Sequence, residues 1–183
     1  GYALKLLWDE TNRGTRFDSP ENMLVMASGP LGNDPGFPGT GKFIVGTISP
    51  LTDTFIDSNV GGHFGPLLKL AGFDALAVSG SARENVVIAI DGDAKKISIE
   101  PAPGFDKDTE KGALSYGTKL LETLSNGALN DSYAAVVAGE GALNSRFGII
   151  NSLFYDQRRK RIRSKQAGRG GTGTVMRAKN VHG

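Results

Sequence analysis

Two glycine-rich stretches lie about a hundred residues apart, Ser58-Asn59-Val60-Gly61-Gly62-His63-Phe64-Gly65 and Ala167-Gly168-Arg169-Gly170-Gly171-Thr172-Gly173. Glycine lets a backbone turn with positive φ and lets a ligand approach bare N–H and C=O groups. Arg169 adds a planar, permanently charged fork that matches phosphate oxygens. Two such loops predict a bed for a flat, phosphate-bearing cofactor. Other reactive side chains are sparse, with no cysteine and two histidines. The missing thiols exclude disulfides, thiolate nucleophiles and iron–sulfur ligation within these residues. His63 has no second histidine near it, and His182 stands at the far end. Neither spacing makes a metal site. Asp53 and Asp57 have no nucleophile or histidine beside them, so turn chemistry is their reading. No self-contained catalytic constellation emerges.

The elements that must position the two stretches are short. Tyr2–Trp8 has helical spacing, Met23–Ala27 and Lys42–Ile48 read as strands, and Phe55–Ser58 leads into the first glycine loop. Gly29–Gly41, with three prolines and five glycines, is a loop. Pro66–Gly72 reads as a helix with proline in its first turn and glycine closing it. Ala75–Val78 is a strand, and Val86–Ile90 and Lys96–Ile99 form a hairpin across Asp91-Gly92-Asp93-Ala94. Thr109–Leu124 carries the clearest helical periodicity, and strands are predicted near Tyr133–Ala138 and Phe147–Asn151. The order predicts an α+β fold of two packed β-sheets with few helices, built as a β-α-β internal duplication.

At 183 residues, 39% hydrophobic and 22% charged, the sequence has the size and composition of one globular domain. No apolar run reaches the roughly 20 residues that span a bilayer. Without an export signal the cytoplasm is the expected compartment, and the start at Gly1 reads as processed, truncated or incompletely represented. Charge is unevenly placed. Residues 156–183 hold nine Lys/Arg and one acid, for +8; residues 1–155 hold twelve and eighteen, for −6. The basic run Arg158–Lys165 is either an anion or partner contact or a solvated loop. Only Phe154 and Tyr155 lie beside it, which argues against a nucleic-acid module. Gly168-Arg169-Gly170-Gly171-Thr172-Gly173 is set aside as a dinucleotide fingerprint on its spacing and because a basic loop, not a strand, precedes it.

Five motifs occur in order: Ser19-Pro20-Glu21-Asn22, Gly29-Pro30-Leu31, Ser49-Pro50-Leu51-Thr52, the run from Asn59 through Gly61, Gly62, Phe64, Gly65, Leu68, Lys69, Ala71 and Gly72 to Phe73-Asp74, and the run from Ala167 through Val175-Met176 to Lys179-Asn180. Together they resemble the amino-terminal domain of the aldehyde:ferredoxin oxidoreductase family, from about Tyr2 to Asn180. The resemblance implies a base for a tungsten (or molybdenum) ion held between two pterins, with electrons from aldehyde oxidation passing to ferredoxin. It implies that the main-chain carbonyl of Asn59 helps hold the magnesium ion bridging the pterin phosphates. Gly61, Gly62, Gly168 and Arg169 match cofactor-contacting positions, with Lys42, Lys165 and Gln166 beside them. Lys42 stands where the family pattern has an arginine, Lys165-Gln166 replaces an Arg-Ala pair, and Arg177 replaces a glycine. Gly139–Asn144 keeps only part of its family pattern. The resemblance further implies that the [4Fe–4S] cluster and the domains closing over the pterins lie outside this sequence, in further domains, a large subunit or an iron–sulfur partner. The residues present are therefore not expected to be catalytically competent alone. Two alternatives are a part of a benzoyl-CoA-reductase-type tungstoenzyme and a non-catalytic scaffold paralogue that has lost the cofactor.

Overall fold

The computed structural model describes residues 1–104 and 112–183. Helix α1 (Tyr2–Glu10) precedes β1 (Leu24–Ser28), β2 (Phe43–Ile48), β3 (Phe55–Val60), helix α2 (Phe64–Leu70) and β4 (Ala75–Val78). The hairpin β5 (Val86–Asp91) and β6 (Lys96–Pro101) follows. Helix α3 (Ala113–Leu124) then precedes β7 (Ala134–Val137), a 3-10 turn (Glu140–Leu143), β8 (Ile150–Asp156), β9 (Arg161–Ala167) and helix α4 (Thr172–Ala178). One sheet has the order β3-β2-β1-β4, another β7-β8-β9, and the hairpin is a third, all antiparallel. The architecture is α+β, as the pattern of short strands predicted.

The duplication is explicit in the register. Each half runs helix, three antiparallel strands, helix. Phe43 pairs with Val60 just before the first glycine bend, and Ile150 pairs with Ala167 just before the second. Counting back from those pairs, Ile44 and Asn59 correspond to Asn151 and Gln166, and Val45 and Ser58 to Ser152 and Lys165. The place β4 holds beside β1 is taken in the second half by the final residues. There the Ala138 N–H donates to the His182 carbonyl at 3.3 Å and the His182 N–H to the Val86 carbonyl at 2.8 Å.

The halves interlock through their helices. α2 packs on its own β1 and also on β7 and β8, while α4 packs on β8 and also on β1 and β2. Leu24, Met26, Phe43, Val45 and Val60 of the first sheet meet Val136, Ile150, Ala167, Val175 and Met176 in one buried cluster. Each of the larger side chains contributes about 1.5–3 kcal/mol by leaving water. α1 covers the outer face of the first sheet through Ala3 and Leu7. α3 covers the outer face of β7-β8-β9 through Tyr116, Leu120 and Leu121. Gly117 permits that close approach, since a Cβ there would lie 2.6 Å from Leu153 Cδ1. α3 ends in a left-handed pair, Asn126 (φ 50°) and Gly127 (φ 78°). The part of the predicted helix from Thr109 to Lys111 lies outside the described residues.

Three sequence expectations are corrected. The strand predicted near Phe147–Asn151 begins later and runs to Asp156. The basic run is no solvated loop over its length: Arg161–Ala167 is strand β9. The third is helix α4, which follows the second bend where no element was expected. β9 reads as loop because charged residues crowd an edge strand, where they deter unwanted pairing; only Ile162 packs on the α3 cluster. Among the described residues, no helix is long and apolar enough to cross a membrane.

Two buried polar residues tie the loops to this frame. The fully buried Asn22 donates to the carbonyls of Phe17 (2.8 Å) and Ile48 (3.4 Å). Its Oδ1 accepts from the Thr47 hydroxyl and the Ile48 N–H, both at 3.1 Å. Lys179, after α4, is 3% exposed and donates to the carbonyls of Gly80 (2.9 Å) and Pro20 (3.3 Å). Burial lowers its pKa from 10.5 to about 8, against a small opposing pull from Glu21. A lysine with a lowered folded-state pKa sheds its proton at lower pH folded than unfolded, so the unfolded state binds more protons between those values. Unfolding free energy measured by denaturant titration should therefore rise from pH 8 to 10.5 relative to Lys179→Met. Parallel curves would refute that.

Candidate functional site

The first and second sheets meet along two edge strands, β3 and β9, which lie side by side without pairing. Each strand ends in a glycine bend, so the fold brings the two sequence stretches together. The contacts are reciprocal. A Cβ on Gly62 would lie 2.9 Å from Ser152 Oγ and 3.0 Å from Phe154 Cδ1, both on β8. A Cβ on Gly170 would lie 2.4 Å from Ile56 Cγ1 on β3. Each bend thus lies against the other half's sheet. Both have left-handed backbones, φ 99° at Gly62 and 76° at Gly170, so glycine is required there twice over. Gly171 (φ 69°) is wedged against Pro50 and the Arg146 carbonyl, which explains the Ser49-Pro50 turn as a packing partner.

Gly61 and Gly168 differ from these. A Cβ on Gly168 would meet nothing within 4 Å, and one on Gly61 would touch only the stem of Lys165 at 3.5 Å. Protein packing does not require glycine at either position, and both leave open space beside the main chain. Among the described residues, none of the main-chain N–H groups of Gly61, Gly62, Gly168, Arg169 and Gly170 donates a hydrogen bond. The bends therefore present donors for an external acceptor.

The predicted side chains are distributed around these bends. Lys42 stands one residue before the Phe43–Val60 pair, beside Gly61 in the continuing register, and is exposed. Lys165 is exposed and lies along Gly61. Arg169 is exposed beside Gly168. Among the described residues no carboxylate pairs with Lys42, Lys165 or Arg169, so their charge is free for an outside anion. Asn59 and Gln166 occupy equivalent positions on the two edge strands, both exposed. The Gln166 amide donates to the hydroxyl of Ser164 at 2.9 Å and to Asn151 Oδ1 at 3.4 Å. Among the described residues no three His, Asp or Glu side chains converge on one point. The oxygens near the two strand ends include the main-chain carbonyls of the edge strands and the exposed amide side chains of Asn59 and Gln166.

Sequence reasoning missed the residues of β8 beneath the site. The His63 ring lies on Phe154, with centroids 4.3 Å apart and planes at 33°. The Ser152 hydroxyl is buried under Gly62 and has no hydrogen-bond partner among the described residues. The available signal was alternation: Ile150, Ser152 and Phe154 share one face of β8. Both grounds for dismissing the dinucleotide fingerprint also fail. Gly168, Gly170 and Gly173 do fall at the G-x-G-x-x-G spacing, and strand β9 does precede them. Topology still separates the two, because β9 pairs antiparallel with β8 at a sheet edge rather than feeding a parallel crossover.

The glycines should separate by mutation. Gly62→Ala should destabilise the fold by about 2–3 kcal/mol through a strained left-handed alanine and the Ser152 and Phe154 contacts. Gly168→Ala should change stability by less than about 0.5 kcal/mol. Denaturant midpoints of the two variants check this, and equal losses would contradict the assignment.

The sequence matches the family described as "Aldehyde ferredoxin oxidoreductase, N-terminal domain" over residues 1–183. It is 34% identical over 182 residues to a "Tungsten-containing aldehyde ferredoxin oxidoreductase" of Pyrococcus furiosus, covering 99% of this chain and 27% of that protein. The protein of the same name from Pyrococcus horikoshii is 33% identical over 187 residues, with the same coverage. Among solved structures, the fold superposes with a TM-score of 0.78 and 31% identity on a chain of the "Active site complex BamBC of Benzoyl Coenzyme A reductase in complex with 1,5 Dienoyl-CoA". That match covers 99% of this chain and 25% of the other. The chain spans about a quarter of the length of these relatives.

Proposed function

The chain belongs to the aldehyde ferredoxin oxidoreductase family, and on that premise we propose that residues 1–183 form a single cofactor-base domain cradling a tungsten bis-pterin. The observation that carries this reading is the pairing of two open glycine bends, Gly61 and Gly168, across the β3–β9 seam with three unpaired cations around them. The residues fit the group on four counts. Gly61 and Gly168 leave space that packing does not need. Main-chain N–H groups at both bends are open to phosphate oxygens. Arg169 supplies a bidentate fork, and Lys42 and Lys165 supply point charges. The equivalent carbonyls of Asn59 and Gln166 offer oxygen ligands for a magnesium ion between two phosphates, one from each half.

When bound, the metal–dithiolene centre supplies the redox chemistry, oxidation of an aldehyde to a carboxylate with electrons leaving to ferredoxin. The part played by this chain is to bind and orient. Arg169, Lys165 and Lys42 neutralise phosphate charge, and the interlocked halves fix the distance between the two bends. His63, with its ring against Phe154, holds the first bend on β8. The acid–base groups and the [4Fe–4S] cluster are assigned to the rest of the enzyme, in further domains or a partner subunit, with the cytoplasm as the compartment. A ring-reducing enzyme acting on aromatic acyl-CoA is the second reading, favoured by the 0.78 TM-score to the benzoyl-CoA reductase complex.

Tungsten-to-protein ratio and pterin fluorescence of the purified full-length enzyme test the cradle. Arg169→Ala with Lys165→Ala should lower both about tenfold, the loss of roughly 1.4 kcal/mol of binding. Asn59→Ala, which keeps its main-chain carbonyl, should hold them near the wild-type level. Wild-type enzyme purified from a tungstate-supplied host with neither metal nor pterin would overturn the proposal in favour of a scaffold paralogue.

A further inference from the structure

The β8–β9 hairpin projects a turn, Gln157–Lys160, that the cofactor cradle does not use. All four turn residues and Arg161 are exposed. The turn has a built conformation. The Asp156 carboxylate accepts the Arg159 main-chain N–H at 3.0 Å, Arg159 Nη1 at 2.9 Å and Arg163 Nη1 at 3.2 Å. Lys160 closes the turn with a left-handed backbone, φ 51°. Partial burial pushes the Asp156 carboxyl up, but the bonds from Arg159 and Arg163 outweigh it and hold it down to about 2. It stays ionised at any physiological pH. Asp156 is thus committed to Arg159 and Arg163, and among the described residues no carboxylate pairs with Arg158, Lys160 or Arg161.

We infer that this tip is a docking site for an acidic patch on a separate protein chain. Its size and surroundings select that occupant. The cations cluster in one four-residue turn and the strand residue after it, while the sequence up to Tyr155 carries a net −6. An extended polyanion such as duplex DNA would run beyond these few cations, and the rest of the sequence offers it no net positive charge. A compact acidic patch stays within the roughly 8 Å over which charge acts at physiological salt. The fixed staple favours a defined contact, because less side-chain freedom is lost on binding. Strand β9 joins the tip to the second glycine bend across seven residues, about 23 Å at 3.3 Å per residue. A partner held there would touch this half of the molecule without covering the cradle.

Fluorescence anisotropy with labelled poly-L-glutamate, on the full-length enzyme, tests the inference. Wild type should bind it, and the triple variant Arg158→Ser, Lys160→Ser, Arg161→Ser should bind at least about tenfold more weakly. Lys42→Ser at the cradle should bind as wild type does. Asp156→Asn separates docking from general charge attraction, because it raises the net charge by one while leaving a single neutral amide oxygen to hold Arg159 and Arg163 in place of the carboxylate. A built site predicts weaker binding for Asp156→Asn, by about threefold or more; stronger binding would overturn the inference. Absence of wild-type binding, equal loss in Lys42→Ser, or tighter binding of duplex DNA or anionic phospholipid vesicles would overturn it as well. Retained thermal midpoints in all variants exclude unfolding as the cause, and tungsten content reports separately on the cradle.

Discussion

The structure depends on a reciprocal exchange of cover between two copies of one motif. Each half makes three antiparallel strands whose inner face is apolar, and a single such sheet cannot exclude water from that face. Helix α4, from the second half, lies on β1 and β2 of the first; α2, from the first, lies on β7 and β8 of the second. Neither half can therefore bury its core alone. The cluster from Phe43 and Val45 to Ile150 and Val175 belongs to both.

That exchange also creates the seam. For each helix to reach the other sheet, the strand before it must end at the junction and turn sharply. The turns are Gly61-Gly62 and Gly168 through Gly171, and the strands leading into them are unpaired edges. Unpaired edges are normally a liability. Here they lie against each other's half and leave carbonyls and amides facing outward between two bends. The cradle proposed for the cofactor follows from how the halves interlock, and its two sides carry residues at equivalent register positions, Asn59 and Gln166.

The glycines of the two stretches divide into two kinds. Gly62, Gly170 and Gly171 are demanded by positive φ and by contacts shorter than van der Waals distance from any added Cβ. Gly61 and Gly168 are demanded by neither. A glycine-rich string in a sequence mixes these causes, and only coordinates separate backbone necessity from ligand space. The same holds for the motif residues that turn out to be struts: Asn22 fills the space between Phe17 and Ile48 with four hydrogen bonds, and Lys179 joins the Pro20 and Gly80 turns.

Strands β1 to β7, the α+β class, the hairpin at Asp91 to Ala94 and the two glycine loops are legible in the residues alone, because alternation, prolines and glycines act over a few residues. The sequence also carried the family, through five ordered motifs. It did not disclose β9 or α4, since Arg161, Arg163 and Lys165 look like a solvated run until β8 supplies their hydrogen-bonding partner strand. Nor did it disclose that Phe154 and Ser152 underlie His63 and Gly62, contacts at least ninety residues apart along the chain. Only tertiary structure decided those, because which edge meets which bend is set by burial of two sheets against each other's helices, a constraint no local pattern contains.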